Sequence, residues 1–196
     1  MTKAFWKVCK KLANEERLDV LRRVMISRED GGLSVGQISD MVNLGQPATS
    51  IYLAQLQNDC GLLESSRNGR YCLYRATKSE NDSSLAKLSD ALRKYFLEES
   101  AGHVFVNGRR PKPPSFLAVL PALSNEARAR LLQIVKSEKR VNRTRLVKAT
   151  GLSELNVRRH VACLVECGLA EVAGGEIVWR EPSDSLSRLF IKLSQP

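Results

Sequence analysis

A cluster of hydrogen-bond donors and cations lies in the second half of the chain, in a segment whose apolar residues have helical spacing: Asn156, Arg158, Arg159 and His160. Arginine can bind guanine O6 and N7 or a phosphate, and asparagine can bind adenine. A solvated charged face is the alternative interpretation of each arginine taken alone. The cluster as a whole predicts contact with nucleic acid through one helix face.

Other basic residues lie where they would reach a phosphate backbone. The stretch KSEKRVNRTR, residues 136–145, holds five basic residues and one acid, and we predict phosphate contacts for Arg143 and Arg145. In the first half, Arg67 and Arg70 flank the turn sequence Asn68-Gly69. These two arginines are predicted to pair with phosphates or to enter the minor groove.

The first half of the chain has a similar predicted helix around residues 46–56, and its side chains are poorly suited to contact base edges. Gln46, Ser50 and Tyr52 can form hydrogen bonds, whereas Ala48 and Ile51 can at best touch a thymine methyl group. We therefore predict that Gln46, Ser50 and Tyr52 contact DNA, and we leave open whether this half reads a sequence.

The formal charge of +10 and the sequence pI of about 9.6 favour a polyanionic partner, double-stranded DNA. Residues 1–99 carry 15 Lys and Arg against 13 Asp and Glu, and residues 115–196 carry 13 against 8. The second half is thus the more basic one. The alternative is a basic protein without such a partner.

The candidate DNA-contacting residues lie in two copies of one sequence pattern. LANEERLDVL (residues 12–21) recurs as LSNEARARLL (residues 123–132), and the residues after each phrase also correspond. Asn14 and Asn125 are predicted to cap the helix that follows each of them. A short second helix, a turn and a third helix come next in each copy. Gly61 and Gly168 are predicted to end the third helices in the left-handed conformation.

Each copy then continues with a predicted β-hairpin and a closing amphipathic helix. The hairpins are centred on Asn68-Gly69 and Gly174-Gly175. This order predicts a mostly α fold with small β-hairpins, arranged as two tandem winged helix-turn-helix domains. We predict a first domain at residues 1–99, a linker at residues 100–114 and a second domain at residues 115–196.

Both halves resemble ArsR-type transcriptional regulators. The family pattern is matched in the first half by Leu12, Asn14, Arg17, Leu21, Ser50, Leu53, Leu56, Gly61 and Leu62, and in the second by Leu123, Asn125, Arg128, Leu132, Val157, His160, Leu164, Gly168 and Leu169. The resemblance implies a third helix in the major groove, a wing on the backbone or minor groove, and repression by occupying a promoter. Ile51 departs from the pattern, since many members carry Arg or His there.

Family members are usually homodimers that pair through their first and last helices. The resemblance therefore implies an internal pseudo-dimer within this chain. Two domains without mutual pairing, or a further homodimer of two such chains, are the alternatives. Because the halves differ, the pseudo-dimer predicts a DNA site without strict two-fold symmetry.

Many relatives bind a metal through Cys or His in the second or closing helices, but those segments here contain neither residue. Cys163 and Cys167 are four residues apart, and two thiolates alone do not complete a tetrahedral site. A packed thiol is the favoured interpretation of Cys167. Cys9 is expected to be the most accessible thiol and the candidate for redox sensing. We expect no metal and no cofactor.

The sequence shows no nucleophile–base pair, phosphate-binding loop or paired carboxylates, so we expect no enzymatic activity. It also shows no signal peptide and no apolar run of the roughly 18 residues needed to span a membrane. We therefore expect a cytoplasmic, nucleoid-associated protein. A competing class is the non-catalytic adaptor, because tandem winged helices also occur as protein-binding subunits of chromosome-organising and transcription complexes. Plasmid replication initiators share tandem winged helices as well.

Overall fold

A computed structural model describes residues 5–29, 31–77, 84–102 and 115–194, with the backbone alone for residues 99–102 and Ser115. The chain divides into two compact units. One comprises residues 14–113, and the other combines residues 1–13 with residues 114–196. The described residues are mostly helical, with two small antiparallel sheets. None of the helices seen in the described ranges combines the length and apolarity needed to span a membrane.

The first half of the chain contains helices and strands in the order that the repeat predicts. They are α1 (Phe5–Leu12), α2 (Glu15–Ile26), β1 (Leu33–Ser34), α3 (Val35–Val42), α4 (Gln46–Asn58), β2 (Leu63–Asn68), β3 (Tyr71–Ala76) and α5 (Ser84–Gly102). Helix α4 is the third helix of the first repeat, and α5 is its closing helix.

The second half repeats this order. A short 3-10 helix (Ser115–Ala118) is followed by α6 (Leu120–Leu123), α7 (Glu126–Glu138), β4 (Arg140–Asn142), α8 (Arg143–Thr150), α9 (Glu154–Glu166), β5 (Ala170–Ala173), β6 (Glu176–Trp179) and α10 (Ser185–Leu193). Helix α9 is the counterpart of α4, and it carries the predicted cluster of donors and cations.

Each sheet has three strands, in the orders β1-β3-β2 and β4-β6-β5. The sequence predicted only the hairpins β2–β3 and β5–β6, and the short outer strands β1 and β4 extend them. The second hairpin turns at Gly174-Gly175, as predicted. In the first, Asn68 pairs with Tyr71, so the two-residue turn is Gly69-Arg70 rather than Asn68-Gly69. The shift follows from Gly69, whose positive φ of 60° suits it to the first turn position.

The predicted helix ends are confirmed. Asn14 accepts a hydrogen bond from the backbone N–H of Arg17 at 2.8 Å, and Asn125 accepts one from that of Arg128 at 3.0 Å. These bonds satisfy donors that the first turn of a helix leaves unpaired. Gly61 and Gly168 have positive φ angles of 66° and 70°, the left-handed conformation expected after α4 and α9.

The unit to which the first helix belongs is not the one that the predicted domain boundaries gave. Helix α1 belongs to the unit of residues 114–196, where it packs against α6. Its buried side chains include Phe5, whose ring lies 6.2 Å from that of Phe190, and Phe190 in turn stacks on Phe116 at 5.6 Å. The apolar face of α1 is therefore buried on the second half of the chain, rather than within a domain of residues 1–99.

Helix α5 extends to Gly102, three residues beyond the predicted end of the first domain. Most of the predicted linker, residues 103–114, lies outside the described residues.

Candidate nucleic-acid interface

Helix α9 is held by one buried stripe, and this stripe determines which residues remain outside. Ser153 caps its start by accepting a hydrogen bond from the backbone N–H of Asn156 at 3.3 Å. Val157, Val161 and Leu164 are buried at helical spacing. The opposite face is consequently exposed over the full length of the helix.

The exposed face of α9 presents Asn156, Arg158 and Arg159, as the spacing predicted. Neither arginine forms an ion pair with any other residue in the described part of the chain. Leu155 lies beside them with 56% of its surface exposed. Two exposed guanidinium groups that form no ion pair therefore remain available to phosphate or to base edges.

His160 has a different environment. It is half-buried, and its pKa is lowered first by burial and then by the positive charge of Arg128. His160 therefore lies close enough to Arg128 of α7 for the charge of that arginine to affect its pKa. Of the four predicted residues on α9, it is the least available to an external ligand.

The two predicted phosphate-binding residues of α8 differ in their pairing. Arg143 is exposed, whereas Arg145 donates from Nε and Nη2 to the Glu138 carboxylate at 3.1 and 3.0 Å. Both follow Asn142, which caps α8 by accepting from the backbone N–H of Arg145. Arg143 and the arginines of α9 thus lie on two helices of the same unit that pack against each other.

Helix α4 presents a different face. Gln46 and Ser50 are exposed, and Ile51 has 57% of its surface exposed, while the helix carries no charged side chain. Tyr52 is half-buried: its hydroxyl donates to Glu16 at 2.6 Å, and Arg17 lies over its ring at 5.1 Å. The hydrogen bond to Glu16 raises the pKa of Tyr52. The hydroxyl of Tyr52 is thus already engaged by α2.

The hairpin β2–β3 carries Arg67 and Arg70 at its tip, and both are exposed. Tyr71 beside them has 68% of its surface exposed. Farther down, Arg75 pairs with Glu64 across the strands at 2.7 Å. The unpaired cations of this hairpin are therefore concentrated at its tip.

The hairpin β5–β6 has the opposite character. Glu176 accepts from Arg140 at 3.2 Å, and Glu171 pairs with Arg180 at 2.5 Å. Its tip is formed by Gly174 and Gly175, which carry no side chain. Each half thus keeps a different basic feature: the hairpin tip in the first and the helix face in the second.

Arg128, which matches the family pattern in the second half, contacts two other segments of its unit. Its Nη1 donates to the carbonyl oxygen of Pro121 and, at 3.0 Å, to Sγ of Cys163. Arg17 lies on Tyr52 at the equivalent position of the first repeat. The repeated arginine therefore contacts the third helix in both copies, and its recurrence in the two matched phrases was the available signal.

The accessibility predicted for Cys9 is wrong. Cys9 is completely buried because it lies on the apolar face of α1, and Cys60 is buried as well. Cys72, Cys163 and Cys167 are half-buried. Within the ranges that the structure covers, no three His, Cys, Asp or Glu side chains are arranged to hold a metal ion.

Comparison with models of protein families and with curated proteins finds no match to this chain.

Proposed function

We propose that this protein is a sequence-specific DNA-binding transcriptional regulator, a repressor by its resemblance to ArsR-type proteins, with two unequal winged helix-turn-helix domains. The observation that carries the proposal is the exposed face of α9. It combines Asn156 with two arginines that form no ion pair in the described part of the chain, on a helix that a buried apolar stripe fixes in place. Such a face suits the major groove of DNA.

The two domains have different roles in this proposal. Helix α9 reads base edges, while Arg143 and Arg145 at the start of α8 contact phosphates. In the first domain, Arg67 and Arg70 contact the backbone or minor groove, and Gln46 and Ser50 add hydrogen bonds. The bond of Tyr52 to Glu16 makes it a supporting residue for α4 rather than a reader of bases. His160 is half-buried and is therefore less available to DNA than Arg158 and Arg159.

The internal pseudo-dimer is part of the proposal, and the packing of α1 supports it. Relatives pair through their first and last helices. Here the first helix of the chain packs with α6, and its Phe5 lies against Phe190 of α10, the last helix. A single polypeptide would thus supply helix contacts that relatives obtain from a second copy. The resulting operator would have two dissimilar half-sites.

The test begins with selection of a bound duplex from a random DNA pool. The affinity of Arg158→Ala, Arg159→Ala and the double variant is then measured by fluorescence anisotropy. Each arginine that reads a guanine contributes about 1–3 kcal/mol of discrimination, so each single variant should bind roughly 5- to 150-fold more weakly.

The matched control is the double variant Arg188→Ala/Lys192→Ala, which removes two exposed cations from α10. We expect it to lose only the general attraction of two charges and to keep its preference for the selected duplex over a scrambled one. If the α9 variants bind the selected duplex as tightly as the wild type, the proposed reading helix is wrong.

A protein-binding adaptor is the second candidate, and α4 favours it. This helix has no charge and exposes Ile51 beside Pro47. Salt-sensitive binding of duplex DNA supports the regulator, because displacement of counterions makes affinity fall with salt concentration. Absence of binding at low salt supports the adaptor.

A further inference from the structure

Two thiols lie together at the end of α9. Sγ of Cys163 is 3.9 Å from Sγ of Cys167, one helical turn later, and both residues are half-buried. Side chains on a helix tilt toward its N-terminus, so the Cys167 side chain leans back over the turn that carries Cys163. Cα atoms four residues apart in a helix are separated by about 6 Å, within the roughly 4.4–6.8 Å that a disulfide spans. Their Cβ atoms are about 5–6 Å apart, more than the roughly 3.5–4.5 Å of a disulfide, so bond formation must distort the last turn.

Cys163 is half-buried and has a cation as its neighbour. Nη1 of Arg128 donates to Sγ of Cys163 at 3.0 Å, which places a positive charge against this sulfur. Partial exposure together with an adjacent cation is the environment of reactive cysteines. Cys167 differs, because burial and the neighbouring Cys163 raise its pKa to about 12 and keep it a thiol. The two sulfurs thus have unequal roles.

The first repeat lacks this pair. The position equivalent to Cys163 holds Gln55, and the one equivalent to Cys167 holds Cys60, which is buried. The other half-buried thiol, Cys72, lies on β3 in the other unit. The paired arrangement therefore belongs to the second domain alone.

We propose that Cys163 and Cys167 form a reversible dithiol–disulfide site that is oxidised by hydrogen peroxide. Cys163, ionised to its thiolate, attacks one peroxide oxygen, and a sulfur–oxygen bond forms as the oxygen–oxygen bond breaks. The released hydroxide takes up the proton that Cys163 lost on ionisation and becomes water. Cys163 is then a sulfenic acid. Sγ of Cys167 attacks Sγ of Cys163, and the departing hydroxide takes the Cys167 proton and leaves as water. Overall, two thiols and one peroxide give one disulfide and two waters.

The site also lies where its oxidation can alter α9. Arg128 connects the Pro121 carbonyl to Cys163, and formation of a disulfide changes the sulfur that Arg128 contacts. Cys167 is the C-cap of α9, so approach of the two sulfurs from 3.9 Å to bonding distance strains the last turn of this helix. This consequence rests on the proposed function: oxidation should weaken DNA binding through Arg158 and Arg159.

The chemistry is tested on the full-length protein without reference to DNA. Trypsin cleavage after Arg159 and Arg180 releases one peptide that contains both cysteines. After treatment with peroxide and alkylation of the remaining thiols, mass spectrometry should show this peptide lighter by two hydrogen atoms and unalkylated. Dithiothreitol should restore both thiols.

Single variants separate the two roles and supply a matched control. In Cys167→Ser, Cys163 should accumulate as a sulfenic acid that dimedone traps, whereas in Cys163→Ser the Cys167 thiol should remain reduced. Cys72→Ser should oxidise the pair as the wild type does. Oxidation of Cys72 with Cys163 and Cys167 both still alkylated would overturn the proposal, as would a Cys163→Ser variant in which Cys167 is oxidised equally fast.

The link to DNA binding is measured separately, as the affinity of reduced and oxidised protein for the selected duplex. Weaker binding after oxidation in the wild type, but not in Cys163→Ser, supports the link. Disulfide formation with unchanged affinity overturns the link and leaves the dithiol site standing. If the reduced protein binds no duplex, the proposed function fails, and the peptide masses still decide the dithiol site.

Discussion

Replacement of Phe5 by alanine should destabilise the unit formed by residues 1–13 and 114–196, and this result would test where α1 belongs. Phe5 is 4% exposed, and its ring lies 6.2 Å from that of Phe190. Truncation of a buried phenylalanine typically costs about 3–5 kcal/mol, and we take about 3 kcal/mol because Phe5 lies at the first residue of its helix. With about 1.5 kcal/mol per molar urea for a unit of this size, the unfolding midpoint should fall by about 2 M.

Tryptophan fluorescence reports this transition selectively. The chain has two tryptophans, Trp6 and Trp179, and both belong to the same unit as Phe5. The control is Phe96→Ala, which removes a completely buried ring from α5 in the unit of residues 14–113. Phe96→Ala should lower the protection of backbone amides from hydrogen exchange in α2–α5. It should shift the urea midpoint of tryptophan fluorescence less than Phe5→Ala does. The reasoning is refuted if Phe5→Ala leaves the tryptophan midpoint unchanged while α2–α5 lose protection.

Three further predictions follow from caps, titration and charge. Asn125→Ala and Asn14→Ala should each lower the free energy of unfolding of their own unit by about 1 kcal/mol, because each removes a hydrogen bond to a first-turn N–H. Urea unfolding measures this loss, with Asn58→Ala as the control. The folded pKa of His160 lies below its unfolded value of about 6.5, so the unfolded chain binds more protons there. The stability of that unit should therefore fall as pH drops through this range, and His160→Gln should flatten the dependence of the tryptophan-monitored midpoint on pH. In DNA binding, the logarithm of affinity should fall linearly with the logarithm of salt concentration, and Arg67→Ala/Arg70→Ala should reduce the slope by about 0.9 for each lost phosphate contact. An unchanged slope would mean that the hairpin tip of the first domain does not touch the backbone.

Local signals in the sequence predicted the helices well. Asn14 and Asn125 cap their helices through a bond three residues away, and Gly61 and Gly168 adopt a backbone conformation that glycine favours. These features depend on neighbouring residues, and a repeat that shows them twice strengthens the prediction. The exposed face of α9 followed in the same way from its buried stripe.

Contacts between distant segments were not predictable. Strands β1 and β4 have two and three residues, too few for an alternating pattern, and β1 pairs with β3 about forty residues later. Lys139, just before β4, has a positive φ of 62°, which its residue type does not suggest. Residues 1–13 were predicted to belong to the domain of residues 1–99 and Cys9 to be accessible, because the partner of α1 has no local signal. In the structure α1 belongs to the unit of residues 114–196, and Cys9 is buried there.

Pairing of side chains was predicted least well. Tyr52 was predicted to be available from its spacing, and Arg145 from its place in a basic stretch. Each contacts an acidic residue from another helix, Glu16 and Glu138 respectively. The proximity of Arg128 to Cys163 likewise depends on how α7 packs against α9. A single sequence contains no local signal for such contacts.

Photocrosslinking from α9 tests the central claim most directly. Ala162 is exposed on the same face as Arg158 and Arg159, so a benzoylphenylalanine introduced there should crosslink to a bound duplex. The same group at Leu97, exposed on α5, serves as the comparison. We predict a DNA adduct from position 162 that unlabelled duplex competes away and that Arg158→Ala/Arg159→Ala diminishes. A protein that binds the duplex yet yields no adduct from position 162 would contradict the claim that α9 lies against DNA.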